Sequence, residues 1–223
     1  MNKAWGEPFL GLHAAAIAIV PLGLVLTQLG LAAGDPWLWP PLEIALVATL
    51  GLAPVAWLQA LKPIYPFNAL RAYVPPRQLN RSRRRLLRAA FGSTWLRLHE
   101  YQWLVALVTV LLLLALVRMY WSAPLWAGLT FVKAGWLSHG VGLAIASVGL
   151  ALASLGAHLH VMALKLLSVG DLKTFEPMTK DEIEAAFFFV GKAQANLWKD
   201  QWPQTGRSPQ SPTAPESSTT AAS

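Results

Sequence analysis

The sequence has no cysteine, and only 11 of its 223 residues are acidic. The first absence excludes disulfides, thiolate zinc sites, iron–sulfur clusters, cysteine acylation and cysteine nucleophiles together. The second leaves Glu43 as the sole carboxylate inside the long apolar stretches, at the edge of one of them. A proton relay needs a partner deeper in the membrane, and no span supplies an acid or a lysine near its middle, so a pump or small transporter component is a secondary expectation. Nucleophile elbow, phosphate loop, dinucleotide fingerprint and HExxH are all missing too. The sequence therefore predicts a protein that is not an enzyme.

What is present is apolar. Hydrophobic residues make up 55% of the chain, above the usage of soluble domains, and this makes a bilayer the natural solvent. Phe9 to Gly30, Leu42 to Leu61 and Val141 to Leu164 are each long enough to cross a hydrocarbon core of about 30 Å. A further span, Tyr101 to Tyr120, is built on the run Leu104 to Val117, with Trp103 and Trp121 marking the headgroup levels. The expected fold is all-α: a polytopic bundle of four transmembrane helices over residues 1–164. A cytoplasmic amphipathic segment follows over 165–202, then a disordered tail over 203–223.

Orientation follows from the cations. Sixteen of the 18 lysines and arginines lie on one set of alternate sides, in the amino terminus, the loop 62–100 and the region after Leu164. Positive charge beside short loops resists translocation, so these parts are expected in the cytoplasm. A cleaved signal peptide is the rival reading of the first span. Its apolar stretch is too long for a signal core, carries Pro21, and is followed at once by another span. The net charge of +7 sits beside the membrane, so the expected partners are the bilayer, anionic headgroups and other membrane proteins, and not nucleic acid.

Two segments outside the bilayer look amphipathic. From Ser82 to Leu98 the residues Leu86, Leu87, Ala90, Phe91, Trp95 and Leu98 recur at intervals of three and four beside Arg81, Arg83, Arg84, Arg85 and Arg88. That predicts a basic helix lying on the cytoplasmic face, with Gly92 and Ser93 as its bend. The plain reading is an anchor of orientation; the functional one is contact with anionic lipid or an acidic partner. Later, Thr179 and Glu182 form a capping box opening a helix to about Trp198, with Ile183, Phe187, Val190 and Leu197 on one face for packing on the membrane surface or a partner. Beyond Pro203 the chain is Ser, Thr, Pro and Ala, too poor in apolar groups to offset its ordering entropy.

The fourth span carries a pattern of small residues. Gly128, Gly135, Gly142, Gly149 and Gly156 are spaced by seven, with Ala146 and Ala153 between them, which lines one face for close backbone approach. His160 continues that seam. His158 projects about 160° away around the helix, so the two cannot chelate one metal. His13, at similar depth in the first span, could join His160 as axial ligands to haem, or either histidine could hold chlorophyll magnesium, with His158 as the substitute. Against this, membrane histidines near a boundary commonly bond a neighbouring carbonyl. The seam, the aromatic loops and both amphipathic helices are adhesive surfaces, so the leading expectation is an accessory or assembly protein beside a larger complex.

Several local features fit one family. They are Trp5 and Pro8 in a brief amino terminus, Gly34-Asp35-Pro36, Pro54-Val55-Ala56-Trp57-Leu58-Gln59, Lys62-Pro63-Ile64-Tyr65-Pro66-Phe67, and the Ser/Thr/Pro tail from Ser208. In these the chain resembles the cyanobacterial low-complexity tail membrane proteins. The resemblance implies a photosynthetic bacterial host, a thylakoid or plasma membrane, and a plausibly photosynthetic complex as partner. It brings no catalytic residues to carry over.

Overall fold

A computed structural model describes residues 8–33, 39–69, 72–91, 95–129, 136–169 and 174–189. Four helical segments cross a membrane by length and composition: Leu10–Leu31, Pro40–Leu61, Glu100–Gly128 and Ser138–Leu167. These are the four expected spans, the first shifted by one residue and the other three longer than expected, and the fold is all-α as anticipated. The described residues add one two-residue antiparallel pair, Asn68–Ala69 with Ala72–Tyr73.

Both span prolines leave a local mark. A proline lacks the N–H that would bond the carbonyl four residues earlier. Ahead of Pro21 the first span tightens to a 3₁₀ turn at Ala16–Ala18; ahead of Pro54 the second widens to a π turn at Ala48–Leu52. Each span thus changes helical pitch just ahead of its proline.

The fourth span is the hub. Of its most apolar window 56% is buried within the chain, against 28%, 22% and 17% for spans one, two and three. Its small-residue face meets a matching face on span one, where Ala16, Gly23 and Gly30 are also spaced by seven. A Cβ placed on Gly23 would lie 2.6 Å from the backbone of Gly149 and of Ala153, and one on Gly149 would lie 2.6 Å from Thr27 N. The backbones touch because neither helix has a side chain in the way. Thr27 reinforces the contact, its hydroxyl donating to Gly23 O at 2.8 Å and lying 3.3 Å from Ala146 O. Gly142, Ala146, Ala153 and Gly156 are all buried in this seam; Gly135 lies outside the described residues.

A second core closes one end of the bundle. Tyr65, Phe67, Leu79, Leu87, Phe91, Met178, Ile183 and Phe187 gather on Leu10, Tyr101, Met162 and Leu166. The basic helix Arg81–Phe91 forms as expected, and its apolar side faces this core. The next helix begins at Trp95, and the bend at Gly92 and Ser93 lies outside the described residues.

The capping box at Thr179 is present in full and opens a helix. That helix is much shorter than expected, Lys180–Ala186, because the phenylalanines pair with the loop after span two instead of continuing it. Phe187 turns extended and is fully buried. Phe188 bridges to Ile64 in parallel, donating to Pro63 O at 2.8 Å and accepting from Tyr65 N at 2.9 Å. Ile183 and Phe187, from the apolar face meant for the membrane surface or a partner, are spent inside the chain's own cap. The compact unit spans Met1–Val190; the tail and the expected helix positions Val190, Leu197 and Trp198 lie outside the described residues.

Candidate functional site

Two of the three histidines singled out in the sequence, His158 and His160, are tied to backbone carbonyls. His158 is fully buried; its Nδ1 donates to Ser154 O at 2.7 Å, and its Nε2 faces Val105 O at 3.4 Å. Neither nitrogen is open to a metal. His160 donates Nδ1–H to Ala14 O at 2.6 Å, a bond across to span one next to His13. His13 is itself buried. A haem held between spans one and four is not built, because a Cβ on Gly156 would meet Ala16 O at 2.7 Å. Backbones that close leave no gap for a macrocycle at this level.

The arginines divide by partner. Arg88 grips both carboxylate oxygens of Glu182, at 2.8 and 2.7 Å; Arg84 donates to Pro76 O at 2.9 Å; Arg83 stands over the Phe67 ring at 5.4 Å. These three fasten the basic helix to the cap. Glu182 also accepts from Thr179 N at 2.7 Å. That backbone bond, then Arg88, hold its carboxyl below the usual range. Arg81 is exposed and Arg85 half-buried, and the Nε atoms of Arg84, Arg85 and Arg88 are all buried without a hydrogen-bond partner.

The most developed polar constellation lies at the other end and went unnoticed in the sequence. Glu43 is completely buried at the start of span two, and His139, 1% exposed, sits at the start of span four. His139 Nδ1 lies 3.1 Å from Ala33 O and Nε2 lies 2.9 Å from Glu43 Oε1. A carbonyl only accepts, so Nδ1 carries the proton there, and Nε2 and the carboxyl share one further proton between them. Tyr120 of span three donates to the second oxygen, Glu43 Oε2, at 2.8 Å. Next to it, Gln28 Nε2 donates to Met119 O at 3.3 Å, and the Ser122 hydroxyl donates to Met119 O at 3.1 Å. Together these bonds tie all four spans at one level.

Glu43, which the sequence places at the edge of a span, thus has its carboxyl bonded by His139 and Tyr120 within the protein. The cluster's signal was in the sequence. His139 stands as near the start of span four as Glu43 does to the start of span two, which in an alternating bundle puts both at one end. No group of three or more His, Asp or Glu suited to a metal gathers among the described residues.

One sizeable cavity opens at the basic end. It measures about 500 Å³ and lies between the basic helix, at Ala89 and Ala90, and spans three and four, at Leu104, Val161 and Leu164. Lys165 and Glu100 are on its wall, 3.8 Å apart.

A four-span bundle with a folded cap at one end and a buried polar tie at the other defines a small polytopic membrane protein. The chain belongs to the low-complexity tail membrane protein-like family, whose model matches residues 6–198. This is the family its local motifs resembled. No curated protein and no solved structure matches it.

Proposed function

We propose that this chain is a non-catalytic accessory or assembly protein that packs sideways against a larger membrane complex. The observation that carries this is the outer face of span three. Leu107, Val110, Leu111 and Leu114, at helical spacing, are each more than half exposed, and no other span of the chain is as little covered by its neighbours. The glycine seam is consumed within the bundle, so the docking face is this leucine row and not the seam. In this reading the amino terminus, the basic loop and the tail face the cytoplasm, and the membrane is the thylakoid or plasma membrane that the family resemblance implies, with a photosynthetic complex as host. Anionic headgroups meet the basic end.

The test is purification of a tagged copy from its own host in mild detergent, with mass spectrometry of what accompanies it. A stoichiometric membrane partner, lost when Leu111 is replaced by a bulky Trp, supports the proposal. A chain that runs alone, with no companion at any detergent strength, overturns it.

A second reading, as a pigment-binding protein, has one observation in its favour. His160 donates Nδ1–H to a carbonyl, the arrangement that orients an imidazole for ligation through Nε2. A single-ligand centre such as chlorophyll magnesium fits that donor, whereas the two-histidine haem does not. An absorption band in host-purified protein, lost in His160→Ala, would establish it; a colourless protein would remove it.

A further inference from the structure

The geometry points to a discrete site for one anionic phospholipid in the cavity between the basic helix and spans three and four. The cavity falls within the range of small-molecule sites, and its walls say what fills it. Leu104 and Leu164 line it and are also exposed on the outside of the bundle, at 37% and 46%. Its mouth therefore opens sideways, towards acyl chains. In a bilayer a lipid tail lies alongside that mouth.

The head end is set by charge. Lys165, in the last turn of span four, is 12% exposed at its side chain and lies over the Tyr101 ring at 5.8 Å. Arg85 is one helical turn before Ala89, so it stands about 6 Å from the cavity wall on the same side of the basic helix. Its Nε is buried without a partner, as are those of Arg84 and Arg88, but those two spend their terminal nitrogens on Pro76 O and Glu182. A phosphate between Arg85 and Lys165 would accept from the outer guanidinium nitrogens and from the ammonium. Glu100 is the one opposing charge. Its carboxylate is 67% exposed and 3.8 Å from Lys165, so it weakens the site without closing it. Apolar tail, sideways entry and a cationic rim at the bundle end together select a phospholipid with a negative headgroup.

The site rests on the membrane location of the chain and not on the accessory role, so either can fail while the other stands. The test is native mass spectrometry of the full chain in detergent, titrated with phosphatidylglycerol or with phosphatidylcholine. One phosphatidylglycerol per chain is expected to survive where phosphatidylcholine is lost. Arg85→Gln and Lys165→Gln should each lower retention about fivefold, and Glu100→Gln should raise it. Leu164→Trp narrows the mouth without touching charge and should lower retention of the same lipid. Arg118→Gln, on span three far from the cavity in sequence and at the opposite end, should change nothing. Equal retention of both lipids, or losses in Arg118→Gln matching those in Arg85→Gln, would mean diffuse attraction and overturn the site. Thermal unfolding of each variant separates loss of binding from loss of fold: unaltered retention in a folded Arg85→Gln/Lys165→Gln double variant also overturns it.

Discussion

His139 and Glu43 hold a single proton between them in a place water does not reach, and that makes each dependent on the other. Removing the imidazole alone, as in His139→Ala, strands a buried carboxyl and should cost about 3–5 kcal/mol. Replacing both with apolar residues of similar size, Glu43→Leu with His139→Phe, should cost far less than the two single changes added together. A double-mutant cycle read by thermal unfolding in detergent checks this, and simple additivity would show that the pair is not coupled. At the opposite end Glu182 provides a graded response to acid. Its folded carboxyl titrates below its ordinary range, so its contribution to the cap is full above about pH 4 and is lost as the pH falls through the folded value. Amide protection factors over residues 174–189 should therefore fall in acid, and Glu182→Gln should abolish that dependence. The sequence made the capping box legible because its signal is local. The Glu43–His139 tie spans 96 positions, and its two ends become neighbours only once the spans are counted and their directions alternated.

Among the elements, the contact of spans one and four is set by what is missing from their faces. Gly149→Leu places a branched side chain where Thr27 N already stands and should destabilise the bundle by about 1–3 kcal/mol. Gly140→Ala, in the same helix with nothing within 4 Å, should be neutral or slightly stabilising, since glycine inside a helix costs up to about 1 kcal/mol against alanine. Comparable losses at both positions would mean helix propensity and not close approach governs the seam. One half of the seam was legible in the heptad spacing of span four. Its partner face on span one was not, because Ala16, Gly23 and Gly30 are three small residues among many. The carboxy-terminal helix failed for a related reason: Phe187 to Phe189 satisfy helical spacing on paper, while the strand-like bridge to Ile64 is a tertiary choice that overrides it.

At the scale of the whole molecule the absence of cysteine becomes an experimental convenience. Single cysteines at Ser82, exposed on the basic helix, and at Leu125, 85% exposed at the far end of span three, report on opposite ends. With both ends in the expected orientation, an impermeant thiol reagent applied to intact cells should label Leu125→Cys and spare Ser82→Cys. The reverse pattern would invert the topology. The packing also imposes an order in time. Span one has its closest partner in span four, the last to leave the ribosome and the insertion machinery, and Tyr65 and Pro63 await Phe188 from later still. Until the final third of the chain is made, the first helix must wait in the lipid with its glycine face uncovered. Biogenesis then resembles the closing of a clasp, and a chain stopped before span four should be recognised as unfinished and degraded however well its first three helices have inserted.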